Sequence, residues 1–446
     1  MDTSASGRSA SVLFAALLLV AFLFGGGGIG SAMTNLTVQL AALLLLALRS
    51  DAAMQFWRES PLALRALIVC SVALPLLQII PLPEALWSAL PGREAVARSL
   101  AFADGEAWMP FSVAPLRTLL AITALVTPLA VLLAGWTLPR DRLIDCGWLV
   151  VGLGLVTVLI GAFQLSSGTQ DSTFYGSRAP GQILLGTFAN RNSTGLFLTF
   201  TLGLAALLPA PRPHPAVLPT RLAVCALLLL AVVLTQSRTA LVLALLPVML
   251  GLLRAVSGMR RSGQPVSAGR SVLLVFGALA LIGTAAGAVI VAAPGRIVST
   301  LERFEARDDP RRFIWDDAVY SAGKYWPVGA GTGTFDEIYQ VDESLENLTL
   351  RRAGRAHNDY IELTIEAGAP GLTLAALWLV LIGWLSWKAR QSSQRWTAWA
   401  GSAFLLAIAL QAITDYPLRN QSILALAGFA LLVVTRVAFD RTRARP

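Results

Sequence analysis

The chain has 446 residues, of which 55% are hydrophobic and 14% charged, far more apolar than a soluble domain of ordinary composition. Apolar runs of 15 to 25 residues recur from end to end, each long enough to cross a bilayer core about 30 Å thick. The net charge of +9 does not point to nucleic acid, because the arginines sit in short loops at alternate ends of the runs rather than on one basic face.

Lipid cannot satisfy backbone polar groups, so spanning segments must be helices or a closed barrel. The runs are too long and too rich in Leu and Ala for barrel strands. An all-α polytopic membrane protein is expected. Cys70, Cys146 and Cys225 fall within or beside apolar runs, with no pairing pattern for disulfides or zinc; they read as small buried hydrophobes.

Taken in order, twelve spans are expected. Ser11–Phe24 is the first, with Gly25–Gly28 as its outer turn; the sequence after it offers no signal-peptide cleavage pattern. Thr34–Leu48 and Leu62–Ile80 follow. Pro81–Pro115 is a polar excursion with interspersed apolar residues, suited to the interface, where Trp87 and Trp108 would sit. Leu116–Leu138, Leu143–Leu165 and Thr187–Leu208 are spans four to six. Leu222–Thr235 and Thr239–Leu253 are separated only by Gln236-Ser237-Arg238. Ser271–Ala293 is the ninth; Gly368–Trp387, Trp396–Ile413 and Gln421–Val434 close the series.

This gives a bundle over 1–293, a long polar loop over 294–366, and three spans with a basic tail over 367–446. With the N-terminus in the cytoplasm, the cytoplasmic segments hold eighteen basic residues, whereas the short outer loops hold only Arg178, Arg191, Arg238 and Arg419. That bias sets the orientation. Both termini are then cytoplasmic and the loop faces outward, to the periplasm in a bacterial inner membrane.

The loop carries 14 of the 26 acidic residues, 9 of the 35 basic ones and one of two histidines, His357. Asp359 and Glu362 have the spacing of a helix-capping pair, which would place His357 at a rigid helix start. A neutral imidazole there could act as a base, although the residues alone leave a structural histidine equally open. His214, among prolines on the other side, reads as bland. Arg238, held at the rim between two spans, is a candidate functional residue; snorkelling to headgroups is the alternative. Arg311 and Arg312 precede Trp315 at an expected helix start, and a solvated charge cluster with Asp308 and Asp309 competes with a binding role. The run Val328-Gly329-Ala330-Gly331-Thr332-Gly333 lacks the Gly-Lys-Ser/Thr of a phosphate loop and reads as a turn packed closely on helices. No ligand set for a metal is evident on the outer side, so chemistry there is expected to need no cofactor. Guanidinium groups match diphosphate oxygens and could stabilise a departing diphosphate.

Arg355-Ala356-His357-Asn358-Asp359-Tyr360, followed by Glu366-Ala367-Gly368-Ala369-Pro370-Gly371, resembles the signature of the O-antigen ligase/polymerase superfamily. Gly186-Thr187-Phe188-Ala189-Asn190-Arg191-Asn192, Ser237-Arg238 and Arg311…Trp315…Trp326-Pro327 agree in order. The resemblance implies a GT-C-like, metal-independent, inverting glycosyltransferase of surface polysaccharide (lipopolysaccharide) biosynthesis. It would move a glycan from undecaprenyl diphosphate to an acceptor hydroxyl in the periplasm. His357 would activate the acceptor; Arg238 and Arg311, with Arg312 as the alternative, would face the diphosphate; Asn190, Arg191 and Asn192 match a family motif of unassigned role and are candidate substrate-binding residues. The family splits by acceptor: lipid A-core for a ligase, a growing glycan for a polymerase, a protein hydroxyl for an oligosaccharyltransferase. A transporter or flippase is the competing class, but such proteins tend to carry polar, broken helices near mid-membrane, whereas the polarity here gathers in one outer loop.

Overall fold

The computed structural model describes residues 3–28, 31–102, 108–167, 174–175, 183–261, 311–348 and 352–440. The expected ninth span, Ser271–Ala293, lies outside them, as do the start of the polar loop and Arg441, Arg443 and Arg445 of the tail.

The chain is mostly helical. In order come α1 (Thr3–Phe24), α2 (Ala32–Leu48), α3 (Ser50–Glu59), α4 (Leu62–Gln78), α5 (Glu84–Trp87), α6 (Glu94–Phe102), α7 (Pro115–Ala124), α8 (Val126–Ala134) and α9 (Arg140–Ser166). Then follow α10 (Arg191–Leu207), α11 (Val217–Leu234), α12 (Arg238–Leu243), α13 (Leu245–Arg261), α14 (Arg311–Lys324), α15 (Phe335–Asp342), α16 (Asp359–Ala389), α17 (Arg395–Gln411) and α18 (Gln421–Ala438). Six described helical stretches are long and apolar enough to cross a membrane, and α2 with α3, bent by 76°, would make a seventh. The Arg8–Phe24 part of α1 and α4 are apolar but shorter. Nine of the twelve expected spans fall on these helices; two more coincide with α10 and α17, which are helical but not among them, and the chain is a multi-pass membrane protein.

Helix α10 forms the centre. It is buried almost continuously from Asn192 to Ala205, as expected for a helix without a polar face. Two of its three threonine hydroxyls are absorbed by backbone carbonyls: Thr201 donates to Leu198 O at 2.8 Å and Thr194 to Leu185 O at 2.9 Å. Phe200 stacks on Phe404 of α17 with centroids 4.0 Å apart. Helix α18 packs beside it, against α17, α8 and α1.

Polar elements gather at one end. The excursion after α4 is a short antiparallel ribbon of β1 (Pro81–Pro83) and β2 (Trp108–Pro110) with α5 and α6 between. Trp108 is exposed, but Trp87, expected at the interface, is buried; a single-turn helix folds it beneath the ribbon. The described part of the polar loop has a small core of its own, in which Phe335, Ile338 and Tyr339 of α15 meet Ala318, Ala322 and Tyr325.

Candidate active site

The glycine run after α14 is the joint on which the site is built. Helix α16 is broken at Gly368, whose φ is +56°, a region in which a side chain is strained. A Cβ there would lie 2.1 Å from Pro327 O. The Trp326–Gly331 turn fills the break. Ala369 N donates to Pro327 O at 2.8 Å, Ala330 N to Ile365 O at 2.7 Å and Gly331 N to Glu366 O at 2.9 Å. Gln78, at the end of α4, donates to Glu366 O at 3.1 Å and accepts from Thr332 N at 2.8 Å. The run is therefore a close-packed turn, as its sequence suggests.

Above the break, the first turns of α16 carry three acidic residues on one face. Glu362 is fully buried and Glu366 nearly so. Arg419, from the short loop between α17 and α18, reaches Glu362 and Glu366 at 3.1 Å each and Asp359 at 3.7 Å. Arg355 reaches Glu362 at 3.0 Å. Burial alone would lower the pKa of Arg419, but Glu366, Glu362 and Asp359 outweigh it and hold the group above its ordinary value. Charges taken this far from water persist only when paired. The capping pair expected from Asp359 and Glu362 is corrected by one residue. Asn358 is the cap, accepting from Tyr360 N at 3.0 Å and Ile361 N at 3.2 Å. The Glu362 carboxylate instead accepts from Ala356 N at 2.9 Å, pinning the approach to His357.

His357 itself adopts φ +52°, a conformation costly for a non-glycine residue and concentrated at functional sites. Trp315 Nε1 donates to Ala356 O at 2.7 Å, and Asp359 N to Ala412 O at 2.8 Å, so α14 and α17 hold the strand on either side. The imidazole Nδ1 lies 3.3 Å from Asp415 Oδ1, and Asn190 Nδ2 donates to Asp415 Oδ2 at 3.3 Å. Asp415 is buried, while the histidine side chain is 31% exposed. The Tyr416 ring sits 5.0 Å from the imidazole; burial first, then the Asp415 charge, push its phenol up to about 12. In the tautomer whose Nδ1–H donates to the carboxylate, Nε2 keeps its lone pair. That tautomer is competent to accept a proton.

The expected residues divide into those the fold brings to this cluster and those it does not. Asn190 caps α10, accepting from Asn192 N at 2.8 Å. Asn192 accepts from Ser237 Oγ at 2.8 Å; Ser237 in turn caps α12 through Ala240 N. Arg191 and Arg238 are the half-buried first residues of α10 and α12. Gln236, just before, is the other non-glycine residue with positive φ (52°) among the described residues. Thr239 Oγ1 lies 3.1 Å from Thr414 Oγ1, and Arg311 Nη1 donates to Thr414 O at 2.6 Å. The Arg238 and Arg311 segments thus both border the Thr414–Asp415 turn. Arg312 is exposed and has no described contact with the cluster. His214 lies at the far end of the bundle, accepting from Ala216 N at 3.1 Å, a local turn contact.

Asp415 and Arg419 escaped the sequence reading. Their signal was a short loop, Thr414-Asp415-Tyr416-Pro417-Leu418-Arg419-Asn420, holding two opposite charges between two apolar spans. An apolar cavity of about 350 Å³ runs below the cluster, lined by Ile68, Leu129, Leu363, Trp378 and Leu431, with Asp359 and Tyr360 at its polar end.

No curated protein matches the chain. A sequence model of the family described as O-Antigen ligase matches residues 223–376, a window that takes in Arg238, Arg311 and His357. The match over this third of the chain supports the O-antigen ligase superfamily and a ligase/polymerase-type membrane function.

Proposed function

We propose that the protein is a metal-independent, inverting glycosyltransferase that moves a glycan from undecaprenyl diphosphate to an acceptor hydroxyl at the periplasmic face of a bacterial inner membrane. The observation that carries this reading is the chain Asn190–Asp415–His357, with separations of 3.3 Å at each step, next to Arg311 on the Thr414 carbonyl and close in sequence to Asp359 and Tyr360, which line an apolar cavity. In this reading His357 Nε2 takes the proton of the acceptor hydroxyl as its oxygen bonds to the anomeric carbon. The bond from that carbon to the diphosphate oxygen breaks, and the carbon inverts. Asp415 orients the imidazole and offsets its developing charge. Arg238 and Arg311 meet the charge that gathers on the departing diphosphate, where preorganised donors act most strongly. Arg312 is the alternative, favoured less because it stands away from the Thr414 turn. Asn190 positions Asp415, Asn192 braces the Arg238 turn, and Arg191 borders the substrate side. The cavity suits the hydrocarbon of a lipid-linked donor. Ligase, polymerase and protein-glycosylating activities differ only in the acceptor that reaches His357.

The test is transfer by purified protein reconstituted with a radiolabelled undecaprenyl-diphosphate glycan and a panel of lipid A-core, glycan and peptide acceptors. Acceptor-dependent transfer by the wild type, lost in His357→Ala and Arg238→Ala with folding intact, would support the reading and name the acceptor. Arg311→Ala and Arg312→Ala decide between those two arginines. Undiminished transfer in the His357 and Arg238 variants would refute the site. Movement of the lipid-linked glycan across the bilayer without transfer would favour a flippase.

A further inference from the structure

At the end of the bundle opposite His357, two arginines from different helices converge on the same backbone oxygens. Arg221, in the first turns of α11, donates from Nη1 to Ala206 O at 3.1 Å and from Nη2 to Leu208 O at 2.7 Å. Arg254, late in α13, donates from Nη1 to both of those oxygens at 3.1 Å each. The two guanidinium groups therefore lie within a few ångströms of each other. Among the described residues no carboxylate is within ion-pair distance of either. The carbonyl end of α10 offsets only about half a unit charge, against two full positive charges. Donors are also left over. Arg221 Nε is buried with no acceptor, and Nε and Nη2 of Arg254 make no hydrogen bond among the described residues. Trp148 frames the pair, its ring 6.0 Å from the Arg221 guanidinium and its Nε1 donating to Pro209 O at 3.1 Å.

We propose that Arg221 and Arg254 form a binding site for the phosphate of an anionic lipid headgroup. Paired guanidinium groups present several N–H donors to phosphate oxygens, and charge-assisted bonds of this kind are the strong ones. Basic pockets between spans are suited to such headgroups. The source of the phosphate is argued from the surroundings. Leu218 (64%), Leu222 (50%) and Leu253 (52%) are exposed beside the pair, an apolar flank that acyl chains cover and inorganic phosphate does not. This site is independent of the reaction at His357 and does not rest on it.

The experiment measures thermal unfolding in neutral detergent with added phosphatidylglycerol, phosphatidylcholine or inorganic phosphate, together with lipid retention by native mass spectrometry. The wild type should retain phosphatidylglycerol over phosphatidylcholine and unfold at a higher temperature with it. Arg254→Gln should weaken that retention about tenfold, the loss of one or two charged hydrogen bonds. Arg254→Lys should keep part of it. In phosphatidylcholine the Arg254→Gln midpoint should equal or exceed that of the wild type, because a like-charge contact has been removed. Equal loss of stability in both lipids would mean that Arg254 only caps α10, and would overturn the proposal. So would a wild type that retains both lipids alike, which is read without any variant. A shift with inorganic phosphate as large as that with phosphatidylglycerol would overturn the lipid assignment and leave a free-phosphate site.

Discussion

His357 Nδ1 and Asp415 Oδ1 lie 3.3 Å apart although 58 residues separate them. One sits at the start of α16 and the other in the loop before α18, and Asn190 takes the second oxygen of the same carboxylate. The contact joins three segments at one end of the bundle through one buried acid, and it is the part of the site most open to test.

Asp415→Asn should keep the shape of the site while removing the charge that orients and supports the imidazole. If His357 is the base, turnover should fall by roughly 10²-fold or more, the scale of general-base assistance, with little change in the concentration of donor needed. The measure is steady-state transfer by the reconstituted variant, with thermal unfolding alongside. A variant as stable as the wild type and equally active would remove Asp415 from the mechanism. A variant that loses both would assign it to the fold.

Arg419 holds Asp359, Glu362 and Glu366 together. Arg419→Met should destabilise the protein by roughly 3–5 kcal/mol, the usual cost of leaving buried charges unpaired. The double change Glu362→Gln, Glu366→Gln on that background should recover much of the loss, because the uncompensated acids are then neutral. Thermal unfolding of the single and triple variants in one detergent measures both. Absence of recovery would show that Arg419 acts through packing rather than charge.

Gly368→Ala should be harmful out of proportion to its size. The backbone there is left-handed, and the new methyl group would meet Pro327 O. A cost above about 1 kcal/mol is expected from the backbone alone, and separation of the glycine turn from α16 should expose both to exchange. Hydrogen exchange over Ala330, Gly331 and Ala369, whose amides close this joint, is the direct readout. Pro370→Ala, in the same turn but exposed, serves as the control and should change little.

Much of this arrangement was legible from residue type and order. The apolar runs predicted the helices because a span must be both long and apolar, and the 294–366 loop that carries His357 stood out because it was polar where its flanks were not. The tight Gln236-Ser237-Arg238 turn followed from two spans with almost no loop between them. What sequence could not supply was pairing at a distance. Asp415 is one acid in a short loop, and nothing local marks it as the partner of His357. Glu362 carries the spacing of a capping residue but is drawn instead to Arg355, Arg419 and Ala356 N, because a buried carboxylate follows its strongest donors. Trp87 has the composition of an interfacial residue, yet the β1–β2 ribbon folds it inward.

Tyr416 gives a prediction in pH. Its phenol, ordinarily near 10.0, is raised to about 12 by burial and by the charge of Asp415. A group whose pKa is higher in the folded state contributes stability that is fully present below the unfolded value and lost as pH rises through the folded one. The window is therefore alkaline: from about pH 10 upward the unfolded chain gains by ionising this tyrosine while the folded chain resists, and the contribution is gone past about pH 12. Tyr416→Phe should flatten that part of the stability profile and leave neutral pH nearly unaffected, since the phenol is uncharged there in both states. Tyrosinate absorbance of the wild type minus that of Tyr416→Phe, followed from pH 8 to 12 with unfolding measured in parallel, checks the shift. A difference signal that titrates at the ordinary value would mean that the ring is wetter than its packing against His357 implies, and that the imidazole is open to solvent on that side as well.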